Sequence, residues 1–248
     1  MNTAAGKVAL ITGGSRGIGA ATAIRLAEDG ADIAFTYSQS ADRAAEVVDR
    51  IKAVGRRALA IQADSASSAA VRDAVSQTVA EFGRLDILVN NAGIGVLAPI
   101  HELTLADVDR TLDINVKGAF VASQAAAEHM ADGGRIITIG SCVGPRVAGP
   151  GASLYSLSKT ALVGLTKGLA RDLGGRGITA NLINPGPIDT EMNPAGAENP
   201  TADWQRGYVA LGKYGETEDI AAAVSYLAGE SGRYVSGAEL AVDGGFAV

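Results

Sequence analysis

The chain has 248 residues, of which 47% are hydrophobic and 19% charged, enough for one large domain with a buried core. Its net charge is −6 and it has no lysine or arginine cluster, so the composition excludes an electrostatic footprint for nucleic acid or an anionic membrane. No apolar run reaches the ~20 residues of a membrane span, the first strand leaves no room for a signal peptide, and the one cysteine, Cys142, permits no intrachain disulfide. We therefore expect a cytoplasmic protein without membrane or nucleic-acid partners.

Strand and helix patterns alternate along the chain. Apolar, β-branched runs predict strands at residues 8–11, 32–37, 57–62, 85–89, 135–139, 178–183 and 238–242. Helical periodicity follows the first glycine-rich loop and returns at residues 41–54, 71–82, 105–130, 153–173 and 217–227, whereas residues 193–214 have no clear period. The alternation predicts an α/β fold: one Rossmann-type domain over residues 1–248, a doubly wound parallel sheet of about seven strands with helices on both faces.

The segment 8–19, VALITGGSRGIG, joins the first strand to the first helix through a glycine-rich loop. Gly13 allows a tight turn, Gly17 lets the backbone approach a pyrophosphate, and Gly19 lets the helix pack closely on the sheet. The free N–H groups and the positive dipole end of the helix favour an anion. This strand, loop and helix start therefore predict a dinucleotide-binding site.

Tyr155 and Lys159 lie one turn apart on a predicted helix and so share a face. A nearby ammonium stabilises a phenolate and lowers the tyrosine pKa, so the pair can act as general acid for an alkoxide or base for an alcohol. Ser141, at the end of the fifth strand, can hydrogen-bond a substrate carbonyl. Taken alone, Tyr-x-x-x-Lys is a weak signal and is more often a half-buried tyrosine beside a snorkelling lysine.

Several motifs occur together and in order: residues 12–19, Asn90-Asn-Ala-Gly93, Asn115, Ser141, Tyr155-x-x-x-Lys159 and Pro185-Gly186. This set resembles the short-chain dehydrogenase/reductase family over nearly the whole chain, from Gly6 to the Val242-Asp-Gly-Gly245 ending. It looks most like the branch of 3-oxoacyl-carrier-protein reductases and bacterial carbonyl reductases.

The resemblance implies a role for each matched residue. Tyr155 would be the general acid/base, Lys159 would lower its pKa and bind the nicotinamide ribose, and Ser141 would orient the carbonyl. Asn115 would hold a relay water near Lys159, and Asp64 would contact the adenine edge. The predicted cofactor-binding residues are Gly13, Ser15, Arg16, Gly17, Ile18, Gly19, Tyr37, Ser38, Gln39, Asp64, Ser65, Asn91, Ala92, Gly93, Tyr155, Lys159, Pro185, Gly186, Ile188 and Thr190.

The second strand indicates which cofactor is used. NAD-binding units place an acid after this strand to accept from the ribose 2′-OH, but Tyr37-Ser38-Gln39-Ser40 has no carboxylate. Arg16 in the glycine loop can face a 2′-phosphate. We therefore expect NADPH/NADP as cofactor and a small ketone, aldehyde or alcohol as substrate.

Two alternatives stay open: a 3-oxoacyl-carrier-protein reductase, and a sensor resembling cyclic-di-GMP-binding biofilm-dispersal proteins. The loop after Ser141 and the stretch 191–212 do not identify the substrate. His101 and His129 lack metal-ligand spacing, so no metal is expected, and Cys142 is expected to be a small buried residue. Apolar residues on more than one face of the helix at 153–173, together with the resemblance, predict a homotetramer.

Overall fold

The computed structural model describes residues 4–196 and 200–248, in which seven parallel strands form one sheet in the order β3-β2-β1-β4-β5-β6-β7. The strands are β1 (Val8–Ile11), β2 (Asp32–Tyr37), β3 (Ala58–Gln62), β4 (Ile87–Asn90), β5 (Arg135–Ile139), β6 (Thr179–Pro185) and β7 (Glu239–Val242). The helices are α1 (Gly17–Glu28), α2 (Ala41–Ala53), α3 (Ser68–Phe82), α4 (Leu105–Leu112), α5 (Ala119–His129), α6 (Ser153–Leu173), α7 (Pro200–Arg206) and α8 (Thr217–Ala228). This confirms the predicted doubly wound α/β fold.

The sheet separates two apolar cores because successive strand residues point to opposite faces. In β1, Ile11 joins the core formed with α1, α2 and α8, whereas Leu10 joins the core formed with α3 and α5. The strand order reverses between β1 and β4, since chain-consecutive strands run outward on either side of that pair. Such a reversal opens a crevice at the carboxyl ends of the strands, where ligands bind in open α/β sheets.

The largest differences between predicted and observed elements lie in two helices and in the stretch 193–214. The third helix begins at Ser68 rather than at residue 71, because the Ser67 hydroxyl accepts a hydrogen bond from the Ala70 N–H (3.3 Å) and caps it. The helix predicted over 105–130 ends at His129 and is interrupted by a π-helical turn, Asp113–Gly118, between α4 and α5.

Helix α7 lies in the stretch for which the sequence predicted no regular structure, and residues 197–199 of that stretch lie outside the described residues. A seven-residue helix spans fewer than two turns, too short for a periodic apolar pattern to be recognised. In the described part of the chain, no helix combines the length and apolarity that a membrane crossing requires.

Candidate active site

A continuous cleft of about 590 Å³ lies along the carboxyl ends of the strands. It brings together residues from the glycine loop, from the ends of β2, β4, β5 and β6, and from α6, as the doubly wound topology requires. Every predicted cofactor-binding residue except Gln39 lines it, and so does Ser141. Gln39 is exposed and lies outside the cleft wall, so its predicted contact is not supported by its position.

The glycine loop is packed too tightly for side chains at three of its positions, and at Gly14 an added Cβ would lie 2.5 Å from the Phe35 Cβ. Gly13 has φ +68°, and an added Cβ would lie 3.1 Å from the Ala92 Cα. A Cβ at Gly19 would lie 2.2 Å from the Gly13 carbonyl oxygen and 2.5 Å from the Asn91 side-chain nitrogen. The N-terminus of α1 therefore begins directly behind the loop, with its unpaired N–H groups at the cleft.

Two consecutive asparagines, the last residue of β4 and the one after it, connect the sheet to α5 and to the glycine loop. The Asn90 amide donates to the Ser123 hydroxyl of α5 (2.9 Å) and so joins the centre of the sheet to that helix. The Asn91 amide donates to the carbonyls of Thr12 (3.0 Å) and Gly13 (2.9 Å). The first part of the Asn90–Gly93 segment therefore stabilises the glycine loop.

Tyr155 and Lys159 meet at the inner end of the cleft, close to Ser141. The Lys159 ammonium lies 5.8 Å from the Tyr155 ring centroid and donates a hydrogen bond to the Ile139 carbonyl (3.0 Å). Burial lowers the pKa of Lys159 to about 8. Burial also raises the pKa of Tyr155, against a smaller lowering by its hydrogen bond with Ser141.

The net shift of the Tyr155 pKa is therefore upward, and the lowering expected from Lys159 stays a prediction. Removing the phenol from water disfavours its charged form, and this effect outweighs the lowering of the pKa by Ser141. The sequence showed the pair but not how deeply the fold buries it.

Asn115 lies on the π-helical turn and is buried. Its side chain bonds both main-chain groups of Ile94: the amide oxygen accepts from the N–H and the amide nitrogen donates to the carbonyl, each at 2.9 Å. It also donates to the Ser158 hydroxyl (3.0 Å), which lies on α6 one residue before Lys159. Asn115 does not line the cleft, and it links the chain after β4 to the helix of the Tyr155–Lys159 pair. Its relay-water role stays a prediction.

The outer end of the cleft carries paired charges. Arg16 lines the cleft and donates to the Glu191 carboxylate (3.1 Å), which also accepts from Arg43. Farther along, the Asp64 carboxylate accepts from the Ala66 N–H (3.0 Å) and from Arg110 (2.9 Å), and these contacts lower its pKa. Asp64 therefore lines the cleft, but both of its carboxylate oxygens already accept hydrogen bonds from within the protein.

The wall opposite Tyr155 comes from segments that the sequence left unassigned. Trp204 on α7 stacks over the loop after Ser141, so closely that a Cβ at Gly149 would lie 3.1 Å from the indole. Its ring packs edge-on against Tyr208 (4.9 Å between centroids), which in turn lies 6.0 Å from Phe246. Trp204 is the chain's one tryptophan in an otherwise polar stretch, which was the available signal for this wall.

The remaining residues considered in the sequence are one cysteine and two histidines. Cys142 is buried, as expected, and burial raises the pKa of its thiol to about 12, so it is no nucleophile at neutral pH. His101 and His129 are exposed. Among residues 4–196 and 200–248, no three His, Cys, Asp or Glu side chains group as a metal site would require.

Comparison with known proteins identifies the family of the chain. The family profile described as "Enoyl-(Acyl carrier protein) reductase" matches residues 13–247. The chain is 45% identical over 246 residues to the Escherichia coli K12 "Cyclic-di-GMP-binding biofilm dispersal mediator protein", with 99% of each chain covered. It is 39% identical over 241 residues to the 3-oxoacyl-[acyl-carrier-protein] reductase of Staphylococcus epidermidis, covering 96% of this chain and 98% of that one.

Solved structures are more similar still. A Burkholderia cenocepacia short-chain dehydrogenase in complex with NADP is 55% identical, with a TM-score of 0.97 over 99% of this chain and 100% of that one. A blue fluorescent protein from a metagenomic library, in complex with NADPH, is 56% identical, with the same TM-score and coverage. The chain belongs to the short-chain dehydrogenase/reductase family, and it is an oxidoreductase of that family.

Proposed function

We propose that the protein is an NADPH-dependent reductase of small ketones or aldehydes, acting reversibly on the corresponding alcohols. The observation that carries the proposal is one cleft with Ser141, Tyr155 and Lys159 at one end and Arg16 beside the acid-free end of β2 at the other. The first group can protonate a carbonyl oxygen, and the second can hold a 2′-phosphate.

The cleft fits the dinucleotide. Gly17 lines the cleft at the start of α1, where an added Cβ would meet only Thr190, at 3.6 Å, so the backbone there leaves room for a pyrophosphate. The acid that would select NADH is absent at Ser38, and the NADP and NADPH complexes of two relatives support the same choice. When bound, NADPH supplies the hydride, and this chain's residues supply position and the proton.

The roles of the polar residues follow from their environments. Tyr155 keeps its proton at neutral pH because burial raises its pKa, so it serves as the acid that protonates the carbonyl oxygen during reduction. Ser141 hydrogen-bonds the same oxygen and orients it. Lys159, with a pKa of about 8, stabilises the tyrosinate once the proton has left, and Asn115 positions α6 through Ser158.

The substrate end has a largely apolar wall. Leu97, Val143 and Ala148 line it from the loops after β4 and β5, with Trp204 and Phe246 opposite. Such a lining takes an apolar substituent and leaves Ser141 and Tyr155 as the groups that recognise the carbonyl. An aryl or alkyl ketone therefore fits better than a polyhydroxylated substrate.

The test is NADPH oxidation with a panel of ketones, aldehydes and acyl thioesters, repeated with NADH. We expect turnover of apolar ketones or aldehydes with NADPH and a catalytic efficiency at least tenfold lower with NADH. Equal efficiency with both cofactors contradicts the cofactor assignment, and no turnover with any compound contradicts the activity.

A 3-oxoacyl-carrier-protein reductase is the second candidate, supported by the Staphylococcus relative. It requires a basic patch to dock an acidic carrier protein. Two arginines that could contribute are engaged elsewhere: Arg146 donates to the main-chain oxygens of Phe246 (2.8 Å) and Val248 (2.7 Å), and Arg176 donates to the Ala127 carbonyl (2.7 Å). Preference for acyl thioesters in the panel would favour this candidate.

A cyclic-di-GMP sensor is the third candidate, favoured by the 45% identical Escherichia coli relative. Arg16 lines a cleft wide enough for a nucleotide, so the same site could take a cyclic dinucleotide phosphate. Titration with cyclic di-GMP, with and without NADPH, distinguishes the sensor from the reductase. Binding of cyclic di-GMP without any carbonyl turnover would favour the sensor.

We also propose a homotetramer in the cytoplasm. Leu157 on α6 is 57% exposed, and Gly164 and Gly168 on the same helix have nothing within 4 Å of an added Cβ. Phe120 on neighbouring α5 is 52% exposed. This apolar, small-residue surface is suited to pairing with a second copy through a twofold axis. Phe246, near the end of the chain, is buried against Cys142 and Val209 of its own chain and is not part of this surface.

A further inference from the structure

Two arginines converge on one carboxylate at the outer end of the cleft. Arg16 comes from the glycine loop and Arg43 from the first turn of α2, and both donate to Glu191, which follows β6. Hydrogen bonding by Arg43 is the main reason that the pKa of Glu191 is lowered, and the same contact raises the pKa of Arg43. The two guanidinium groups are thus placed close enough to hold a single anion between them.

Arg43 does not line the cleft, but Arg16 and Glu191 do. They share that wall with Tyr37 and Ser38, the residues at the end of β2 that would face the adenosine ribose. The anion held by the two arginines is therefore a side chain of this protein, at the place where the cofactor's 2′-phosphate is expected.

We propose that Arg43 is a second 2′-phosphate-binding residue and that Glu191 is an internal competitor that occupies the arginine pair until the phosphate displaces it. The inference rests on the proposed NADPH dependence. A phosphate has more charge and more acceptor oxygens than a carboxylate, so it binds two guanidinium groups more strongly. The three side chains are 45–57% exposed, so the exchange involves ion pairs of modest strength.

The two arginines and Glu191 should change the affinity for the 2′-phosphate in opposite directions. Loss of Arg43 removes a phosphate ligand and weakens binding, whereas loss of the Glu191 charge removes a competitor and strengthens it. Both effects require the 2′-phosphate, so a ligand without that group should respond to neither change.

The test is calorimetric titration of the whole protein with adenosine 2′,5′-bisphosphate and with 5′-AMP, which differ only in the 2′-phosphate. We expect Arg43→Ala to weaken the bisphosphate about three- to tenfold and Glu191→Gln to strengthen it about two- to fivefold, with 5′-AMP within twofold in both. Arg50→Ala, which removes an equal charge from an exposed position on α2, is the matched control and should change neither ligand. Thermal melts establish that each variant is folded.

The outcomes distinguish this inference from the proposed function. If the unaltered protein binds both ligands equally, the NADPH preference itself is wrong. If it prefers the bisphosphate but Arg43→Ala behaves like Arg50→Ala, the role of Arg43 is overturned and the preference stands. Weaker bisphosphate binding by Glu191→Gln would overturn the competitor role.

Discussion

Replacing Lys159 by methionine should change how stability depends on pH. Burial lowers the pKa of Lys159 from 10.5 to about 8, so between these values the unfolded chain binds more protons than the folded chain. The free energy of unfolding therefore rises with pH across this interval, and the protonated lysine destabilises the fold most below about pH 8. At roughly 1.4 kcal/mol per pKa unit, the full penalty is about 3 kcal/mol at pH 7.

Linkage gives the size of the measurable effect. Between pH 7 and 9.5 the destabilisation by the buried ammonium falls by about 2 kcal/mol in the unaltered protein. Lys159→Met should not show this rise in the free energy of unfolding. The variant also leaves the Ile139 carbonyl without its donor, which offsets part of the stabilisation at every pH. The difference between pH values, rather than the stability at one pH, is therefore the informative quantity.

The assay is urea unfolding at fixed protein concentration at pH 7, 8, 9 and 9.5. Lys167→Met is the matched control, because Lys167 lies on the same helix but is 59% exposed and paired with Glu239. We expect the stability gap between Lys159→Met and the unaltered protein to narrow by about 2 kcal/mol over this range, and the Lys167→Met gap to stay constant. A constant gap for Lys159→Met would refute the buried-ammonium account.

Three further predictions concern the loop, the cofactor and assembly. Gly19→Ala should destabilise the protein by about 1–3 kcal/mol in thermal melts and weaken NADPH binding, because its Cβ would strike the Gly13 carbonyl at 2.2 Å; Gly175→Ala, with open space around it, should do neither. Arg16→Ala should weaken NADPH at least tenfold by fluorescence titration and leave NADH within twofold; equal losses would contradict a phosphate role. Light scattering after size exclusion should give four times the 25.0 kDa chain mass, and a fully active monomer would contradict the tetramer.

The sheet and most of the residues that line the cleft could be predicted, because the sequence patterns that indicate them are local. The strands are short apolar runs separated by glycine loops, and Gly13 and Gly19 mark the phosphate-facing turn by spacing alone. The π-helical turn was not visible, because its residues fit the same apolar period as the flanking helices. At its last residue a tertiary contact is close: a Cβ at Gly118 would lie 2.6 Å from the Ser65 carbonyl oxygen.

The contacts that tune the site come from residues distant in sequence. Glu191 reaches Arg16 from 175 positions away, and no local pattern encodes that pairing. The pKa of Tyr155 depends on how completely the surrounding loops cover it, which residue types alone do not specify. Arg43 offered a signal, since it is a cation in the first turn after the acid-free end of β2, but its partner could be found only in three dimensions.

The central claim is that Tyr155 delivers the proton for carbonyl reduction in an NADPH-bound cleft. Tyr155→Phe keeps the ring and removes the hydroxyl, so kcat with the best carbonyl of the panel should fall about 10²–10⁴-fold while the NADPH dissociation constant, measured by fluorescence, stays within twofold. A variant that retains most of its turnover would contradict the account.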